Sequence, residues 1–211
     1  MTREQQRQFK QLNTALPKIL KELAKEKKLK KKDYMLYATR KDMFFDCIIF
    51  VSVNDNNECI CSTRETMKPF WIDDLLWELL DMKENAKAPV SLRAVGAFTI
   101  SGVDIYQKQT VLNEWTEDEL RKVVEEFVDH FCKSIKETPE SAFEDNLNQE
   151  YHRELRQALY YIHNEQYQKA LDCIGETGEG LFRNGDISIN DAIRDYCRGK
   201  KYGFRYRRKR I

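Results

Sequence analysis

The chain has 211 residues, of which 34% are charged and 41% hydrophobic, so it can bury a sizeable core and is too apolar to be disordered. Its formal net charge of +1 is unevenly distributed: residues 1–32 hold 11 basic and 3 acidic side chains, and residues 200–211 hold 7 basic and none acidic. The body between these ends therefore carries a net charge of −14.

The sequence predicts a cytoplasmic protein. Its longest apolar run, Met43 to Val53, is interrupted by Asp46 and Ser52. That run is far shorter than the roughly 20 residues a membrane-spanning helix needs. No apolar segment follows the first residues in the manner of a secretory signal. The six cysteines lack the dense spacing of a disulfide framework, so we expect reduced thiols.

The N-terminal segment predicts an amphipathic helix. Its apolar residues recur at three- and four-residue steps: Phe9, Leu12, Leu16, Ile19, Leu20 and Leu23. Pro17 predicts a kink, or a helix that restarts with Thr14 as its N-cap. The lysine-rich run that follows suits the negative end of a helix dipole.

Strand signals come next. A short strand is predicted at Tyr34 to Thr39, and a central strand at Met43 to Val53, where both alternating faces are apolar and both are expected to be covered. The turn residues Asp55 to Asn57 lead into a return strand that begins near Glu58. After Pro69 a helix is predicted, with one apolar face formed by Trp71, Leu75, Leu79 and Met82.

A second hairpin is predicted over residues 91–111, with Ser101-Gly102 as its two-residue loop. Thr116 and Glu119 then have the spacing of a capping box that opens another helix. We therefore predict an α+β domain over residues 1–137, with an antiparallel sheet of about five strands in two hairpins packed with helices.

The pattern changes to an all-helical C-terminal part, predicted over residues 147–199. Two helices joined near Asn164 are expected, and then a last helix capped by Ser188 with Asp191 and ended by Gly199. Residues 200–211 form a basic tail.

The sequence contains no cofactor or metal signature. Cys59 and Cys61 would share one face of a strand, but no second Cys or His pair stands at ligand spacing, so we predict small buried side chains. The loop GETGEG, residues 175–180, lacks the Lys-Ser/Thr of a nucleotide-binding loop. No catalytic set is recognisable, although an enzyme site assembled only in the fold stays an alternative.

The basic tail alternates aromatic and cationic side chains, which favours either contact with a polyanion or an edge strand packed on the body. The candidate polyanion-binding residues are Lys201, Tyr202, Phe204, Arg205, Tyr206, Arg207, Arg208, Lys209 and Arg210.

The basic turn LKKKDYMLYATR, Leu29 to Arg40, lies between the first helix and the antiparallel strands. This layout, over about residues 5 to 135, resembles uncharacterised bacterial α+β domains, some of which are encoded beside toxin genes and regarded as immunity proteins. The chain lacks glycines flanking the basic turn and adds the helical C-terminal part. The resemblance implies a cytosolic protein that acts by binding another protein, with no catalytic residues to carry over.

We therefore predict a non-enzymatic protein-binding module whose acidic body binds a protein partner, an immunity-type protein being one form of it. The alternative is a nucleic-acid-associated protein that uses Lys25 to Lys32 and the basic tail.

Overall fold

The computed structural model describes residues 1–96 and 98–201, except for the side chains of Val95 and Lys201. The chain divides into two compact units. Unit 1 comprises residues 1–68 and 102–144, and unit 2 comprises residues 69–101 and the chain from residue 145. Residues 69–101, which the sequence prediction kept with the α+β domain, thus belong with the helical part.

The α+β fold class is confirmed, and unit 1 contains its sheet. Helix α1 (Arg3–Glu26) precedes the strands, and α4 (Glu117–Glu137) follows them. The sheet is antiparallel in the order β1-β2-β3-β4-β5. Its strands are β1 (Lys30–Lys32), β2 (Met35–Arg40), β3 (Met43–Val53), β4 (Cys59–Pro69) and β5 (Val103–Leu112).

Unit 2 is helical. It contains α2 (Phe70–Leu79), a 3₁₀ turn (Lys83–Lys87), α3 (Leu92–Val95), α6 (Arg153–His163), α7 (Tyr167–Ile174), the small hairpin β6 (Arg183–Asn184) and β7 (Ile187–Ser188), and α8 (Ile189–Lys201). A short helix, α5 (Ala142–Asp145), spans the division. Helix α2 belongs here because it packs on α6 and α8.

Helix α1 is continuous through Pro17, so the predicted restart with Thr14 as N-cap is wrong. Its N-cap is Thr2, which forms a full capping box with Gln5. The Thr14 hydroxyl instead donates to the Lys10 carbonyl, 2.9 Å away, within the helix. The packing of α1 on α4 and on the sheet accounts for the tolerance of an interior proline.

One face of the sheet is covered by α1 and α4. The core there consists of fully or nearly fully buried side chains from both layers, among them Leu16, Ile19, Leu20, Leu36, Phe45, Cys47, Ile49, Val124, Phe127 and Phe131. We call this the helix face of the sheet and the opposite one the open face. Cys59 and Cys61 are buried, as predicted, and burial raises their pKa to about 11 and about 12.

The predicted second hairpin is wrong. Residues 92–95 form helix α3, and β5 pairs antiparallel with β4. Gly102 is required by close approach, because a Cβ added there would lie 2.6 Å from Thr66 Oγ1 and 2.7 Å from the Met67 carbonyl oxygen. Gly102, which the sequence suggested as part of a hairpin loop, is therefore required by close packing.

Three further predictions need correction. The buried face of α2 contains Ile72, Leu76 and Leu79, whereas Trp71, Leu75 and Met82 are only half-buried. Helix α8 continues past Gly199 to Lys201. The capping box of α4 is half formed: Thr116 caps the Glu119 amide, but the Glu119 carboxylate accepts from the amides of Asn113 and Glu114.

The capping of α8 by Ser188 and Asp191 and the two helices joined near Asn164 are confirmed. The six cysteines, all within the described residues, are free. Of the helices in residues 1–96 and 98–201, none has the length and apolar character needed to cross a bilayer.

Candidate protein-interaction surface

The open face of the sheet carries five apolar side chains, distributed over four strands. Met35 of β2 lies directly opposite Ile48 of β3, and Ile60 of β4 lies directly opposite Val111 of β5. Phe50 follows Ile48 by two residues and so points to the same side. We call these five residues the open-face patch.

The assignment of β4 to the same face rests on contacts between strands. Thr66 Oγ1 donates to Asp46 Oδ2 at 2.7 Å, which places Thr66 on the side of Asp46 and, by alternation, of Ile48 and Phe50. Ile60 is separated from Thr66 by an even number of positions along β4, so its side chain projects to the same face. The intervening residues of β4 point to the helix face, where Thr63 Oγ1 lies 3.2 Å from Cys47 Sγ.

The open-face patch is accessible. Phe50 and Val111 are each 44% exposed, and Met35, Ile48 and Ile60 are half-buried. The prediction that both faces of Met43–Val53 are covered is therefore wrong for Phe50. Scattered exposed apolar residues are normal on monomers, but contiguous ones on a rigid sheet are typical of interaction sites.

A polar group lies on the open face further along the strands. Arg64 pairs with Asp104, and Gln107 Nε2 donates to the other Asp104 oxygen at 2.8 Å. Asp46 is buried, and burial raises its pKa to about 6, although the Thr66 hydroxyl and the positive charges of Lys68 and Arg64 act in the opposite direction.

This pKa yields a prediction for Asp46→Asn. Because the folded pKa lies above the ordinary value of 3.8, the folded state keeps a proton between about pH 4 and pH 6 that the unfolded chain has released. Stability from this group is therefore full at the acidic end and lost as pH rises through about 6. We expect the free energy of unfolding of Asp46→Asn, relative to that of the native chain, to increase by about 1–3 kcal/mol as the pH rises from 4 to 7. Urea unfolding across that range measures it, and a constant difference would contradict it.

The helix face of unit 1 contains the clearest group of chemically reactive side chains. Glu65 is fully buried, and its Oε1 lies 2.8 Å from Nδ1 of the partly exposed His130. The Tyr106 ring stacks on the imidazole with centroids 3.6 Å apart. Within the described part of the chain, Glu65 Oε2 has no hydrogen-bond partner.

These side chains do not form a hydrolase triad. Ser134 Oγ lies 3.4 Å from the same nitrogen, Nδ1, that faces Glu65. A triad needs the hydroxyl at the opposite ring nitrogen from the carboxylate. Among the described residues, no group of three or more His, Cys, Asp or Glu side chains is placed to hold a metal ion. The Glu65–His130 contact joins β4 to α4.

Of the predicted polyanion-binding residues, Tyr202, Phe204, Arg205, Tyr206, Arg207, Arg208, Lys209 and Arg210 lie outside the described residues, as does the side chain of Lys201. The other half of that prediction, Lys25 to Lys32, covers the end of α1 and strand β1.

Sequence reasoning missed the open-face patch because it read Ile48 and Phe50 as core. The signal that could have shown it lies in the neighbouring strands. Gln107 and Gln109 alternate with Val111 on β5, and such polar residues indicate a face that stays in contact with water.

Comparison with protein-family models, with curated proteins and with solved structures finds no significant match for this chain.

Proposed function

We propose that the protein is a non-enzymatic, cytosolic protein-binding module and that the open-face patch is its contact surface. The observation that carries the proposal is the exposure of Phe50 and Val111, 44% each, on the same face of the sheet. Burying them against a partner would release apolar surface from water, which is the main driving force of association.

The rigidity of the sheet supports the same proposal. The patch residues belong to strands that are paired across the sheet and anchored on the helix face by a fully buried core. A preformed surface costs little ordering entropy when it binds. Among the described side chains, none of the groups discussed above assembles a nucleophile with a base, which favours binding over catalysis.

An immunity-type role, in which the partner is a toxin, is the narrower form of this proposal. The sequence placed the contact on the acidic body, whereas the proposal places it on the apolar sheet face. The acidic body then contributes by steering the approach of a partner with basic regions, which raises the rate of encounter more than the affinity.

The proposal is tested by quantitative affinity enrichment from the cells in which the protein occurs. The native chain is compared with Phe50→Ser/Val111→Ser and with the control Leu181→Ser, which removes a 62% exposed apolar side chain outside the patch. We expect a protein partner at stoichiometric level with the native chain and the control, and its loss with the double variant. Equal recovery with all three chains would refute the sheet-face contact.

Nucleic-acid binding is the second candidate, favoured by the exposed Lys25, Lys28, Lys30 and Lys32 where α1 ends and β1 begins. Treating the extract with nucleases before enrichment separates the two functions. A partner that persists after treatment supports direct protein binding. A partner lost on treatment, together with binding of generic DNA or RNA that falls steeply with salt, supports the second candidate.

A further inference from the structure

Two lysines lie beside the open-face patch and point the same way. In the register of the sheet, Lys32 of β1 is directly opposite Met35, and Lys30 is directly opposite Tyr37. Directly opposite residues of an antiparallel pair project to one face. Met35 in turn lies directly opposite Ile48. Lys32, Met35 and Ile48 therefore form one row across three strands, with the cation next to the apolar patch.

Several other cations of unit 1 form ion pairs. Lys27 pairs with Asp129 at 2.8 Å, Arg121 with Glu22 at 2.7 Å, and Lys108 with Glu126 at 3.8 Å. Lys30 and Lys32 are exposed, and neither forms an ion pair with any residue that the structure describes. The patch thus has positive charge at its β1 edge and the neutral side chains Gln107 and Gln109 at its β5 edge.

A competing explanation is that lysines on a short edge strand only prevent another strand from adding to the sheet. That explanation requires charge on β1 but not a particular sign. It therefore predicts that glutamate would serve equally well at both positions.

We propose that the partner occupies the open-face patch with a segment that carries acidic side chains beside apolar ones, its carboxylates meeting Lys30 and Lys32. This rests on the proposed function and specifies the chemistry of the partner. The apolar side chains bury against Phe50 and its neighbours, while the ion pairs at the rim fix orientation and make association sensitive to salt.

The test uses a phage-displayed library of random linear peptides, panned on the native chain and depleted on Phe50→Ser/Val111→Ser. Selected peptides are synthesised and titrated against the native chain, against Lys30→Glu/Lys32→Glu, and against Lys10→Glu/Lys18→Glu. The last variant makes the same charge change at two exposed positions of α1 and is the matched control.

We expect selected peptides to combine Asp or Glu with bulky apolar residues, and their affinity to fall about tenfold in the β1 variant but little in the α1 variant. Peptides without acidic residues, or equal affinities for the two lysine variants, would overturn the inference. This outcome can be distinguished from failure of the proposed function. Binding that requires Phe50 but not the two lysines would support the sheet-face contact and contradict only the acidic character of the partner. Failure to recover any Phe50-dependent peptide overturns the inference for linear segments.

Discussion

Replacement of Phe50 by serine is expected to weaken binding of the purified partner by about thirtyfold or more, because aromatic side chains near the centre of an interface dominate its affinity. Phe50 is suited to that role, since it extends from the middle of the patch and is 44% exposed before binding. Isothermal titration of the native chain and the variant measures the effect.

The control for this prediction is Leu181→Ser, which changes a more exposed apolar side chain in unit 2 and is expected to alter the affinity less than about twofold. A Phe50→Ser chain that binds as tightly as the native one would show that the partner contacts another surface.

Replacement of Phe127 by alanine is expected to lower the free energy of unfolding by about 3–5 kcal/mol. Phe127 is 1% exposed on α4, on the helix face, and Lys108 Nζ lies 5.8 Å from its ring centroid. The substitution removes a ring from a close-packed core and leaves a cavity that the helix and sheet can only partly close.

Phe50→Ser is the matched comparison, since it removes the same ring from the same unit. The substitution is expected to lower the free energy of unfolding by only about 1 kcal/mol or less, because nearly half of the Phe50 side chain is already exposed to solvent. Urea unfolding followed by circular dichroism measures both variants. Equal losses would mean that Phe50 is a core residue, which would also weaken its assignment to a binding surface.

The sequence was a good guide where a local pattern determines the structure. The period-two run from Met43 to Val53 is strand β3, and the apolar spacing after Phe9 marks the buried stripe of α1. The Ser188 cap of α8 was predictable because capping involves residues only three positions apart.

The sequence was a poor guide where contacts between residues far apart in the chain determine the structure. Ser101-Gly102 has the composition of a hairpin loop, but β5 pairs with β4 instead. The glycine is required because Thr66 and Met67 leave no room for a Cβ atom. Strand β1 was missed because three successive lysines have low strand propensity, and the edge of a sheet still accepted them.

The candidate surface was only partly predictable for a related reason. Apolar alternation on both faces of β3 indicates burial on both sides, yet it cannot show that Phe44 is buried while Phe50, on the same face, is exposed. The alignment of Lys32 with Met35 and Ile48 depends on strand register, which single-sequence patterns do not determine. The pairing of Glu65 with His130 joins residues 65 positions apart and left no local signal.

The most direct measurement of the sheet-face contact is a methyl NMR titration of the labelled chain with its purified partner. The contact predicts that resonances of Met35, Ile48, Ile60 and Val111 shift or broaden, while Ile19 and Leu20, buried between α1 and the sheet, stay unchanged. Perturbation of methyl groups elsewhere, with those of the open-face patch unmoved, would contradict it.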